Sequence, residues 1–210
     1  MKISKFAAGL ALAAGMALAA PAGAAVVHDE ATDGDLSNDR LAPTPLSFSL
    51  GGNEIFGTSG ASGDSIDRDY FTFTVLPGQA LTAIEVLEGT ESLQNLSFIA
   101  IERGDQVTVA PDAENAVGLY GWWHYSPADI GSDILDDIGV PAAGSEGFTP
   151  PLGAGDYAIW IQEANQGTAD YRFSFVLGEA GAVPEPEAWA LLFGGLAMLA
   201  ARRRRLRWAA

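Results

Sequence analysis

The stretch Asp69-Tyr70-Phe71-Thr72-Phe73-Thr74-Val75 alternates with a period of two. A strand built from it carries Phe71, Phe73 and Val75 on one face and Tyr70, Thr72 and Thr74 on the other, a pattern no helix reproduces. The same alternation returns in residues 155–162 (Tyr157, Ile159 and Ile161 in phase) and in residues 169–177 (Tyr171, Phe173, Phe175 and Leu177 in phase). The short connection at 163–168 predicts that these two strands form a hairpin. Residues 46–50 alternate as well, and 53–56 are expected to return beside them after the Gly51-Gly52 turn. Residues 81–87, 96–102 and 106–109 read as further strands, and the Gly- and Ser-rich stretch 57–65 reads as a loop. Helical spacing occurs only in 129–140, where Ile130, Ile134, Leu135 and Ile138 share one face of a short helix ended by Gly139 and Pro141. Many short strands at near-regular intervals predict an all-β fold, an antiparallel β-sandwich or jelly roll.

The two ends are of a different kind. Residues 1–25 combine Lys2 and Lys5, an apolar run from Phe6 to Ala20 and small residues up to Ala25, which is the form of a secretory signal peptide. The Sec translocon and signal peptidase are its expected partners. At the other end Val183, Pro184, Glu185 and Pro186 form a stiff acidic box that cannot lie inside a helix. The apolar run 188–201 follows, about 21 Å long if helical and so short of a hydrocarbon core of roughly 30 Å. Arginine stems that reach the interface, with Trp189 and Trp208, can extend it to a transmembrane helix. Five arginines within 202–207, including Arg202, Arg203, Arg204 and Arg205, are expected to stay cytoplasmic.

This order of box, short membrane segment and terminal arginine cluster resembles the PEP-CTERM sorting signal of Gram-negative bacteria. The resemblance implies that an exosortase, a membrane cysteine protease, cuts near the box. The inner-membrane intermediate would then pass to the cell surface or the extracellular matrix. A plain tail anchor that is never cut is the alternative.

Between the ends, residues 26–182 form the expected mature domain. They hold 25 of the chain's 27 acidic residues against four bases, Arg40, Arg68, Arg103 and Arg172. Without a basic face to neutralise phosphates, nucleic acid is excluded as a natural partner. Such a surface favours divalent cations instead. The chain has no cysteine, which removes disulfides, thiol catalysis and cysteine zinc sites. Stability must come from the core, helped by a metal where one is bound.

Asp29, Glu30, Asp33, Asp35 and Asp39 lie close together around Gly34, and Asp67 and Asp69 can approach from the later strand. Oxygen ligands in this arrangement suit calcium, although the spacing is not that of an EF-hand. A solvated acidic loop is the other reading. Trp122, Trp123 and Tyr125 form an aromatic cluster for which two readings also stand: a platform for sugar rings, or core packing of alternate side chains.

The run from Asp67 to Gln79, with Gly155-Asp156-Tyr157 and Ala169-Asp170-Tyr171-Arg172-Phe173, is similar to the bacterial pre-peptidase C-terminal domain. That resemblance implies a small jelly-roll sandwich of exported proteins, some of which bind calcium and collagen or polysaccharide. The long segment 111–152 departs from the pattern.

Catalytic constellations are poorly represented. There is no Gly-x-Ser-x-Gly elbow, and the only histidines, His28 and His124, are far apart in sequence. The expectation is an exported, non-enzymatic adhesive or structural module associated with exopolysaccharide in a biofilm matrix. Its rivals are a hydrolase or lyase acting on exopolysaccharide, and an uncut membrane-anchored envelope protein.

Overall fold

The computed structural model describes residues 23–94 and 97–181. The expected signal peptide up to residue 22, the acidic box at 183–186, the apolar run 188–201 and the arginine cluster lie outside the described residues. Among the described residues no helix is long and apolar enough to cross a membrane.

Along the chain come β1 (Ala25–Asp29), α1 (Glu30–Asp33), β2 (Thr44–Pro45), β3 (Gly51–Ser62), β4 (Ser65–Val75), β5 (Gln79–Val86), β6 (Ser97–Arg103), β7 (Gly121–Tyr125), α2 (Leu135–Ile138), β8 (Gly155–Gln162) and β9 (Gly167–Glu179). Among the described residues, 48% strand and 7% helix make the fold all-β. The strands form one curled, mostly antiparallel sheet in the order β5-β9-β3-β4-β8-β6-β7, with β1 added to β3 and β2 to β4, both in parallel. The curl is made by β3 and β4, which pair only at their joined ends, Gly60–Asp67 to Ser62–Ser65. Beyond that corner β3 continues against β9, and β4 continues against β8.

The two halves therefore face each other across a shared core. Phe71 and Phe73 of β4 meet Phe175 of β9 at ring-centre distances of 5.5 and 5.8 Å, and Tyr125 of β7 meets Phe173 edge-on at 4.9 Å. Ile55, Ile84, Ile99, Ile159 and Ile161 fill the space between them, all buried. A second apolar layer lies on the outer face of the β4-β8-β6-β7 half, where Tyr70, Ala100, Ala158 and Trp160 are covered by Val107, Val109, Ala116 and Leu119. Residues 107–119 thus roof a face that would otherwise be wet.

Several elements differ from the sequence expectation. The stretch 57–65 is not a loop: most of it belongs to β3 and β4, because β9 offers β3 a ladder running from Gly51–Leu177 to Gly60–Thr168. Residues 46–50 are not a strand. The buried Asn53 side chain accepts from Ser49 N at 2.8 Å and donates to Ser49 O at 2.9 Å, replacing ladder bonds with side-chain ones. Residues 106–109 are likewise irregular, since Val107 N donates to Arg40 O and Thr108 N to the Glu102 carboxylate. β8 and β9 do not form a hairpin, for β8 pairs with β4 and β6 while β9 pairs with β3 and β5. The helix expected over 129–140 is reduced to a 3-10 turn, Pro127–Asp129, and α2, leaving Ile130 39% exposed.

Candidate metal centre

The N-terminal segment is fastened first to β3 and then to β4, the strand that carries Asp69. β1 runs parallel to β3, pairing Ala25 with Asn53 and Asp29 with Phe56, and so delivers α1 to the middle of β3. Leu36 is buried in the core, and Tyr70 N donates to Ser37 O, which draws the following residues over β4. Between these two attachments Glu30 and Asp35 come to lie beside Asp69. One carboxylate oxygen from each of the three falls within 4.8 Å of the others. Oxygens in a calcium shell of radius about 2.4 Å can be no more than about 4.8 Å apart, a limit that the trio meets.

Asp69 is in phase with Phe71 and Phe73 and is 0% exposed. Neither of its oxygens has a hydrogen-bond partner. Burial and then the nearby charges of Glu30 and Asp67 push its carboxyl up to about 9. Tyr171, in phase with Phe173 and Phe175 on β9, brings its hydroxyl close to Asp69 but without a hydrogen bond of ordinary geometry, and that hydroxyl too is buried without a partner. Burial and the Asp69 charge raise the phenol further. The pocket exists because residue 57 is glycine: a Cβ there would collide with the Tyr171 hydroxyl and come within 2.8 Å of the Glu30 carboxyl carbon.

Glu30 is held ready rather than free. Its Oε1 accepts from Leu36 N at 3.2 Å and its Oε2 from Thr58 N at 2.7 Å, fixing the carboxylate while lone pairs remain for a cation. Burial raises its pKa, those two backbone bonds oppose the rise, and Asp35 adds to it. Asp35 is exposed and also raised, by partial burial and by Asp67, with His28 acting the other way. His28 Nε2 is itself buried without a partner. A hollow of about 140 Å3 lined by Glu30, Gly57, Thr58 and Tyr171 opens beside the group. A buried carboxylate with both oxygens unpaired, this close to two others, is expected to need a proton or a cation between them. Oxygen-only donors select a hard ion, and calcium fits the donor set.

The other acidic candidates serve elsewhere. Asp29 caps α1, its Oδ1 accepting from Ala31 N, and Asp33 Oδ2 accepts from Asp29 N. Asp39 accepts from Leu41 N in a turn. Asp67 accepts from Asn38 Nδ2 at 2.9 Å and bears on the trio through its charge. Tyr171, His28 and Gly57 were not placed at this site from the sequence. The signal for Tyr171 was there, a hydroxyl on the apolar stripe of β9 opposite an acid on the apolar stripe of β4.

Of the aromatic candidates, Trp122 and Trp123 both line one hollow at the β7 edge, whereas Tyr125 lies apart from it. Trp122 is half-buried on the outer face, stacked at 5.9 Å from Phe98, with its indole N–H donating to Ala142 O at 3.0 Å. Trp123 turns to the opposite face and packs on the main core. Tyr125 is 1% exposed inside that core, and burial raises its phenol well above the usual range.

Comparison of the chain with known protein families, with curated proteins and with solved structures found no match.

Proposed function

We propose that the chain is an exported, non-enzymatic β-sandwich of jelly-roll type whose fold is completed by calcium at Glu30, Asp35 and Asp69. It would serve as an adhesive or structural module of the cell surface or extracellular matrix. The observation that carries this reading is Asp69, a fully enclosed carboxylate with no hydrogen bond to either oxygen and two further carboxylates beside it. A site with three protein carboxylates fits the weak class of extracellular calcium modules, with dissociation constants of about 0.1–1 mM. It would fill outside the cell and stay empty of calcium within it. The signal peptide at 1–25 and the PEP-CTERM-like tail at 183–210 support the same destination, with exosortase as processing partner.

The hydrolase or lyase reading draws less support from this geometry. Two catalytic carboxylates must flank a sugar bond at about 5–9.5 Å with access for the polymer, whereas Asp69 is enclosed and its partners are within ion-sharing distance. Thermal unfolding with calcium and with chelator tests the metal. A melting temperature raised by several degrees in calcium is expected, and identical curves would remove the proposal. Fractionation of an epitope placed before Val183, in cells with and without exosortase, tests the route. Intact chain in the cytoplasm would contradict it.

A further inference from the structure

The roof over the outer face stops short of β7. At its border Phe98, Trp122 and His124 remain partly or largely open to solvent. Two hollows adjoin there and share Trp122 and His124 as a common wall. The first, about 240 Å3, runs under the roof and is bordered by Phe98, Glu114, Asn115 and Gln162. The second, about 260 Å3, passes around the sheet edge to Asp137 and Val140, the latter 57% exposed. Each is smaller than the roughly 300–1,000 Å3 of a cleft for a drug-sized ligand, so each suits one ring-sized unit.

The lining combines apolar ring faces with fixed polar groups. Trp122 is oriented by its bond to Ala142 O. The Gln162 oxygen accepts from Trp160 Nε1 at 3.2 Å and from Arg68 Nε at 3.0 Å, so the amide cannot flip without losing both. Its nitrogen donates to no group among the described residues, and the same holds for Asn115, whose oxygen accepts from Val117 N at 3.1 Å. Donors beside the Glu114 carboxylate match the alternating hydroxyls of a sugar ring, while its C–H face matches the indole. Charge narrows the choice further. No lysine or arginine lines either hollow, and each contains one acid, Glu114 or Asp137.

We propose that the paired hollows on either side of Trp122 bind consecutive units of a linear polysaccharide that carries no acid groups. The proposal rests on the matrix-module reading for the source of its ligand, but uses none of the residues of the metal centre.

Isothermal titration of the full chain in detergent, against neutral gluco-oligosaccharides of one to six units with β-1,4 or β-1,3 linkage and against alginate, tests it. Affinity should rise at least about tenfold between one unit and three and then level off. Alginate should bind far more weakly. Trp122→Ala and His124→Ala should each weaken binding, the former by about tenfold or more. His124 is exposed, so its variant decides the matter if Trp122→Ala fails to fold by circular dichroism. No binding of any neutral oligomer at millimolar concentration, equal binding of alginate, equal affinity for one and six units, or indifference to both substitutions would each overturn the proposal. Calcium-dependent melting of the same samples separates the two claims. Its persistence without glycan binding removes only the paired hollows, and its loss with glycan binding intact removes only the metal.

Discussion

Asp69 shows how one side chain can set the response of the molecule to pH. Without a cation its carboxyl, pushed up to about 9, holds a proton at neutral pH that an unfolded aspartate, with a value near 4, has released. The folded state then binds more protons, so the stabilising contribution is complete below about pH 4 and is lost as pH rises toward 9. Glu30 and Asp35 are raised too and act in the same direction. In chelator the melting temperature should therefore fall between pH 5.5 and pH 8.5, above the range in which ordinary carboxylates titrate. Calcium displaces the proton, so its stabilising effect should grow over the same interval. Asp69→Asn should flatten the chelator profile and abolish the response to calcium. Calorimetry at these pH values with both proteins checks this, and a wild-type profile that rises with pH in chelator would contradict it. The sequence placed Asp69 in the acidic set but did not distinguish it from Asp33 or Asp39. What distinguishes it is its phase with Phe71 and Phe73, which fixes the side chain inward once β4 has both faces covered.

At the scale of elements, the metal would join two pieces that the strand ladders hold only at their ends. Residues 30–39 are anchored by β1 on one side, and by Leu36, Ser37 and the Arg40 guanidinium, which donates to Val107 O and Thr108 O, on the other. Release of the cation should loosen this segment first, so trypsin is expected to cut after Arg40 several-fold faster in chelator than in calcium. Peptide mapping over time measures the difference, and equal rates would deny the clamp. The connection between β8 and β9 is held by another carboxylate. Glu163 is buried, with Oε1 accepting from Asn165 N and Nδ2 and Oε2 accepting from Leu93 N and Ser97 Oγ. Burial alone would raise it, but these four donors outweigh that and hold it below the usual range. Its stabilising contribution is thus present above about pH 4.3 and is lost as pH falls. Glu163→Gln sets an amide N–H against existing donors and should cost about 2 kcal/mol, read from urea unfolding at pH 7; a shift under a few tenths would refute the role. Alternation revealed both strands, yet a short connection suggested a hairpin, whereas the pairing of β8 with β4 and β6 and of β9 with β3 and β5 shows that the chain crosses to the other half.

For the molecule as a whole, the alternating strands were legible because each presents an apolar face to one core. The roof at 107–119 and the strand character of 57–62 were not, since both depend on partners distant in the chain: the outer face of β8 for the former, and β9 for the latter. Charge was legible from the first, and its consequence is a test that separates a site from a surface. Residues 26–182 carry a net charge of about −21, from 25 acids and four bases, and like charges spread over one domain oppose compaction. Any salt relieves part of that repulsion, gradually and without saturation, as the screening length shortens from about 30 Å at 0.01 M to about 10 Å at 0.1 M. A bound ion behaves differently, adding stability that grows with the logarithm of its concentration above the dissociation constant. Calcium added at constant ionic strength should therefore raise the melting temperature from about 0.1–1 mM upward, while magnesium, which keeps its waters and demands stricter geometry, should do so less. Sodium chloride should give a shallow rise that Asp69→Asn retains in full. If sodium at matched ionic strength reproduced the whole calcium effect, the ion would be acting on the acidic surface alone, and the three converging carboxylates would have to be held together by protons.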